Sequence, residues 1–109
     1  MSNETVTVTT PRGNKYTYTA YPISSTTWNS KAGNYMFAYK TQNGSWQVLY
    51  VGLTTDFAAR FANHDKLNLA MRKGATHILA RVNDNDASRK NEEAELIGWL
   101  KPALNDLLK

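Results

Sequence analysis

The strongest local constraint in the sequence is the dipeptide Asn43-Gly44, set between two β-rich runs, residues 34–40 and 46–51. Asn-Gly supplies the positive φ angles of a type I′ turn, a preferred tight connection between antiparallel strands. With Asn43 and Gly44 as the two loop residues, counting outward sets Tyr39 opposite Val48, Phe37 opposite Tyr50 and Tyr35 opposite Gly52. Opposed residues share a sheet face, so Tyr35 and Tyr50 become diagonal neighbours, with Gly52 beside them and no side chain there. The expected result is a notch walled by two phenols.

A second hairpin is expected at the start of the chain. Residues 5–10 (TVTVTT) and 15–21 (KYTYTAY) alternate with period two around Pro11-Arg12-Gly13-Asn14. The polar stretch 22–31 reads as a connecting loop. Thr54 or Thr55 then caps a helix that carries Asp56 at its positive end. On that helix Phe57, Phe61 and His64 share a face, and Arg60 stands at its flank, four residues before His64. Residues 67–71 suggest a short helix closed by Gly74, and residues 76–82 a third strand of the main sheet. A longer helix is expected over 86–100, capped by Asp84 or Asp86 and broken by Pro102.

On a wheel of that last helix, Leu96, Ile97 and Leu100 define the apolar stripe. Glu93 falls near its centre, Glu92 at its edge and Glu95 on the opposite side. A carboxylate on a core-facing stripe is costly unless it is paired or bound to metal. Glu93 is therefore the anomaly of the sequence.

These elements describe an α+β protein: a small antiparallel three-stranded sheet flanked by helices, plus an extra N-terminal β-hairpin. At 109 residues the chain suits one compact domain, with residues 1–32 as the hairpin extension and loop and 33–109 as the main body. There are no cysteines, which excludes disulfides and cysteine-held zinc or iron–sulfur centres. No apolar run approaches the ~20 residues that span a bilayer. The opening MSNETVTVTT has neither the basic nor the apolar region of a signal peptide, so a cytoplasmic protein with no membrane partner is expected. The net charge is +4, and its placement is more telling: between Phe57 and Asn83 stand Arg60, Lys66, Arg72, Lys73 and Arg81 against Asp65 alone. Such a surface attracts a polyanion, although a solvated basic face reads the same way in sequence.

Three blocks then carry a resemblance. They are Gly33-Asn34-Tyr35; Tyr50-Val51-Gly52-Leu53-Thr54-Thr55-Asp56-Phe57, followed by Arg60 and His64; and Glu93-Ala94-Glu95-Leu96-Ile97, followed by Lys101-Pro102-Ala103-Leu104-Asn105. In order and spacing they resemble the GIY-YIG nuclease family over residues 33–105. Asn34 departs from the apolar residue common there, at a position that points away from Tyr35. The resemblance implies a metal-dependent endonuclease that hydrolyses phosphodiester bonds in nucleic acid, with DNA as the expected partner and Mg²⁺ or Mn²⁺ as cofactor. It further implies Tyr35, Tyr50, Arg60, His64, Glu93 and Asn105 as catalytic residues, with Glu93 as the metal ligand.

The chemistry suits those residue types. Hydrolysis needs an attacking water, neutralisation of charge developing on the phosphate, and help for the leaving oxygen. A single Mg²⁺ serves the last two and keeps several waters, so one carboxylate is enough protein ligation. Arg60 offers a planar, permanently charged fork for the phosphate. A phenol of pKa about 10 is a poor base at neutral pH, so Tyr35 and Tyr50 would need cationic help to take a proton, and would otherwise orient water. His64 is placed to relay a proton or touch phosphate, and Asn105 to bind phosphate or orient a neighbour. Gly52, Lys66, Arg72 and Lys73 are expected to contact substrate. The alternatives are a buried Glu93–Arg60 ion pair, and with it a non-catalytic nucleic-acid-binding module or a protein-interaction domain on the same fold.

Overall fold

The computed structural model describes residues 3–105. Strands β1 (Thr5–Thr9), β2 (Lys15–Pro22), β3 (Gly33–Lys40) and β4 (Trp46–Thr54) precede helices α1 (Phe57–Ala62) and α2 (Leu67–Arg72). Strand β5 (His77–Val82) and helix α3 (Asp86–Leu100) follow, and a single 3-10 turn (Ile23–Ser25) leaves β2.

The fold is α+β, but its sheet has five strands, not three. All five are antiparallel in the order β1-β2-β5-β3-β4. The N-terminal hairpin is no appendage: Thr19–Pro22 pair with His77–Ala80, so β2 covers the edge of β5. Without that pairing, β5 would expose a row of unsatisfied backbone groups. The alternation of β2 is spent on packing, with Tyr18 and Ala20 buried against Leu79 and Leu96 of α3. The sheet also curls. Glu4, just ahead of β1, reaches Lys40 at the end of β3 (Nζ–Oε2 2.9 Å), although two strands lie between β1 and β3.

Helices cover both faces. Tyr35, Phe37, Tyr50, Phe57, Ile78 and Leu104 form an aromatic core on the α1/α2 side. Met36, Ala38, Val51, Leu79 and Leu96 form the core on the α3 side. Odd and even residues of β3 thus go to opposite layers, as a strand buried on both sides requires.

Both hairpin turns are type I turns followed by a left-handed glycine. Gly13 (φ +89°) donates to the Thr10 carbonyl at 2.9 Å, and Gly44 (φ +85°) to that of Thr41 at 3.0 Å. Asn43 is not in the left-handed region, so the expected type I′ turn is absent. The longer loop pairs Lys40 with Trp46, Tyr39 with Gln47 and Ala38 with Val48, so Tyr39 does not face Val48. A bulge at Leu49 then shifts the register, and Phe37 faces Tyr50 while Tyr35 faces Gly52.

The caps also differ from expectation. Asp56 itself caps α1, its carboxylate accepting from Ala59 N–H at 3.1 Å, while the Thr54 hydroxyl accepts from Asp56 N–H. Asn85, between the two aspartates considered, caps α3 through Ser88 N–H at 2.8 Å. None of the helices among the described residues is long and apolar enough to cross a membrane.

Candidate active site

Tyr35 lies in the middle of β3, 1% exposed, directly across from Gly52. A Cβ on Gly52 would stand 2.5 Å from the Tyr35 Cζ and hydroxyl, so the phenol occupies the space a side chain would take. Tyr50 enters the same layer from β4, its ring centroid 6.2 Å from that of Tyr35. His64 closes the third side, its ring edge-on to both phenols, and its Nε2 lies 2.7 Å from the Tyr35 hydroxyl.

The imidazole is reached by an unexpected route. Helix α1 ends at Ala62, Asn63 leaves it at φ −149°, and His64 sits in the loop before α2 rather than one turn beyond Arg60. There its Nδ1 accepts from Lys66 N–H at 3.0 Å. Burial first, then the positive charge of Arg60, lower its pKa to about 4, so the ring is neutral at pH 7. With Nδ1 accepting, the single ring proton is on Nε2, which donates to the Tyr35 oxygen. The Tyr35 hydroxyl proton is left to point elsewhere.

Both phenols are raised above their ordinary pKa by burial, which the charge of Arg60 partly offsets. Arg60 is half-exposed, 3.6 Å from an exposed Asp65 carboxylate, and its guanidinium also reaches the Tyr35 and Tyr50 hydroxyls. Glu93 is half-buried on α3. Its charge acts on both phenols, and burial alone raises its own carboxyl. Among the described residues it has no ion-pair partner, and the Glu93–Arg60 pair considered from sequence is not formed.

The helix phase read from sequence was off by one residue. The buried side chains of α3 are Arg89, Glu92 and Leu96, so Glu92, 1% exposed, faces the core and Glu93 lies beside it. Glu92 is satisfied by the Tyr18 hydroxyl and by Arg81, whose guanidinium donates at 3.0 Å. Next to it the Tyr16 hydroxyl and the Asn14 amide donate to Glu95, at 2.7 and 3.0 Å. Sequence reasoning missed this network, although Tyr16 and Tyr18, two apart on one strand, were its visible signal.

Asn105 does not face the notch. Its amide accepts from Val51 N–H and donates to the Val51 carbonyl, both at 2.9 Å, holding β4 between Tyr50 and Gly52. Asn34 also points away from Tyr35, its amide donating to the Arg89 carbonyl at 3.0 Å. Lys66 is half-buried at the start of α2, and Arg72 and Lys73 are exposed at its end. His77 contacts the Thr76 hydroxyl and the Trp46 ring.

No triplet of His, Asp or Glu converges as a metal cluster among the described residues. The donor set still fits one hard divalent cation that keeps most of its waters: an unneutralised, half-buried carboxylate is the ligand such an ion needs. No protein-family model matches the chain, and no curated protein matches it either.

Proposed function

We propose that the chain is a metal-dependent phosphodiesterase acting on nucleic acid, with DNA as its substrate. One observation carries this reading: two phenols, a guanidinium and a neutral imidazole gather where Tyr35 crosses Gly52, and the Glu93 carboxylate, without an ion-pair partner among the described residues, is near enough for its charge to act on both phenols. A structural ion-pair cluster would neutralise Glu93 and Arg60 with each other, and here they stay apart.

In this reading Glu93 would hold Mg²⁺ or Mn²⁺, and the bound ion would supply charge neutralisation at the phosphate. Arg60 binds the scissile phosphate and stabilises the charge that develops on its oxygens. Neither buried phenol is a base at neutral pH, so Tyr35 and Tyr50 orient water and phosphate by hydrogen bonds. His64 holds the Tyr35 oxygen through Nε2–H, which leaves the phenol's own proton for another acceptor. Water adds to phosphorus and gives up a proton to solvent, the bond to the leaving oxygen breaks, and that oxygen takes up a proton from solvent. Asn105 acts through the β4 backbone and is a positioning residue. Lys66, Arg72 and Lys73 supply sequence-independent attraction for the strand.

A panel of plasmid, branched DNA and RNA with Mg²⁺ or Mn²⁺ tests the assignment. Wild type is expected to cut at least one substrate and Glu93→Gln none, with nucleic-acid binding retained. A wild type that binds nucleic acid but cuts nothing overturns the enzyme in favour of a binding module.

A further inference from the structure

The loop between β2 and β3 delivers Trp28 onto the α1 side of the sheet. Its indole packs edge-on against Tyr21 (centroids 5.1 Å) and Phe61 (4.6 Å) and tilted against Phe57 (5.7 Å). It is nevertheless half-exposed, because clefts open on both its flanks. The larger, about 270 Å³, is walled by Trp28, Phe61, Ile23, Leu67 and Ile78, with Ala62 at its mouth. The smaller, about 150 Å³, runs past Tyr21 and Phe57 to Lys31. Phe61 is the shared wall: one side lines the larger cleft and the other packs edge-on to Tyr35 at 4.9 Å.

Trp28 and Phe61 touch, their centroids 4.6 Å apart, so they form one aromatic wall, and an occupant must be flat and largely apolar to lie against it. At about 270 Å³ the cleft is smaller than the ~300–1,000 Å³ of sites for drug-sized ligands, which suits one ring system. It must also tolerate positive charge nearby, since Lys31 lines the smaller cleft, and Arg60 and Lys66 immediately precede Phe61 and Leu67, which line the larger one. A nucleobase carried on a phosphate backbone meets each condition, and aromatic platforms beside cations are how single strands are held without sequence preference. A base inside a duplex is not accessible to such a cleft; an unpaired or extruded one is.

We propose that the Trp28–Phe61 cleft takes an unpaired nucleobase next to the scissile phosphate, so that the substrate is a strand that is single, gapped or branched at the cut. The proposal deepens the nuclease reading and rests on it for the position of the phosphate. Phe61 then couples the seated base to the Tyr35 ring across a single contact.

The test uses 12-mer DNA carrying one 2-aminopurine, single-stranded or fully paired, with the full chain in EDTA so that cutting plays no part. Wild type is expected to bind the single strand about five- to a hundred-fold more tightly than the duplex and to quench the 2-aminopurine, the range one stacked base gives. Ala62→Phe, which fills the mouth of the cleft from an exposed position, should lose that preference and the quench while keeping duplex affinity. Trp28→Ala should likewise lose the preference and the quench, and Ala62→Phe covers the case in which it fails to fold. Equal affinities in the wild type, or a preference that survives Ala62→Phe, overturn the proposal. Metal-dependent cutting of paired and gapped DNA at equal rates overturns it while the nuclease reading stands. Cleft binding by a protein that cuts nothing supports the base site and overturns the nuclease instead.

Discussion

Gly52→Ala is the substitution that tests the notch most directly. The new methyl would sit 2.5 Å from both Cζ and the hydroxyl of Tyr35. Tyr35 cannot swing aside: it is 1% exposed, edge-on to Phe61 and His64, and hydrogen-bonded to His64 at 2.7 Å. Overpacking of this kind costs about 1–3 kcal/mol, and loss of the Tyr35–His64 bond adds about 0.5–1.5 kcal/mol. Gly52 has an ordinary strand φ, so alanine recovers about 0.4–1 kcal/mol by restricting the unfolded chain. The net loss is about 1–4 kcal/mol, which lowers the Tm by roughly 5–15 °C in a domain of this size. Gly98→Ala is the matched control: a Cβ there meets nothing within 4 Å, in the interior of α3, and should stabilise by about 0.5–1 kcal/mol. Circular-dichroism melts of the two variants beside wild type measure both effects, and cleavage by Gly52→Ala should fall with the displaced phenol. A Gly52→Ala protein that melts at or above the wild-type temperature would refute the geometry.

Glu92→Gln and Glu93→Gln should separate structure from chemistry. Breaking the Glu92–Arg81 pair loses charge-assisted hydrogen bonds to a partly exposed guanidinium and costs about 1.5–3 kcal/mol, whereas Glu93→Gln relieves a desolvated charge and should leave the Tm unchanged or higher while ending cleavage; the reverse pattern in thermal melts would exchange their roles. His64 binds its proton more weakly folded (about 4) than unfolded (6.5), so the unfolded chain takes up the extra proton and stability falls as pH drops through that window. The full effect is about 3 kcal/mol, and His64→Gln should flatten the pH dependence of the Tm between 6.5 and 4; an unchanged profile would place the acid sensitivity elsewhere. Lys66→Glu with Lys73→Glu should weaken binding to all sequences alike and reduce the salt slope, since fewer counterions are released; unchanged affinity would move the binding face away from α2.

Local pattern made much of this legible. Alternation located β1 and β2, the Asn43-Gly44 turn located β3 and β4, and caps with apolar periodicity located the helices. The pairing of β2 with β5 was not, because backbone groups along an edge carry no sequence label. The phase of α3 was misjudged because Leu96, Ile97 and Leu100 all look apolar, while the sheet curls around Leu96 and leaves Ile97 and Leu100 half-buried. A buried Glu92 reads as an edge residue until Tyr18 and Arg81, far away in sequence, are brought to it. His64 looked helical because a six-residue helix and a ten-residue one share their first turn.

The register of the notch was legible for a reason that does not hold. A three-residue turn with a left-handed Gly44 displaces β4 by one residue relative to the expected two-residue turn. Carried along the strand, that slip would set Tyr50 opposite Met36 and turn it to the α3 layer. The bulge at Leu49 adds one residue to β4 and reverses the slip, so Leu49 and Tyr50 both enter the aromatic layer. Two departures from the expected hairpin cancel at Phe37–Tyr50. The residues after α3 then hold the result: Leu104 N–H donates to the Leu49 carbonyl at 3.1 Å, and Asn105 brackets both backbone groups of Val51. Bulge and clamp together make an edge strand, the least constrained kind, into a fixed wall. Among the described residues, the turn after α3 therefore fixes the position of one phenol beside the one glycine of β4.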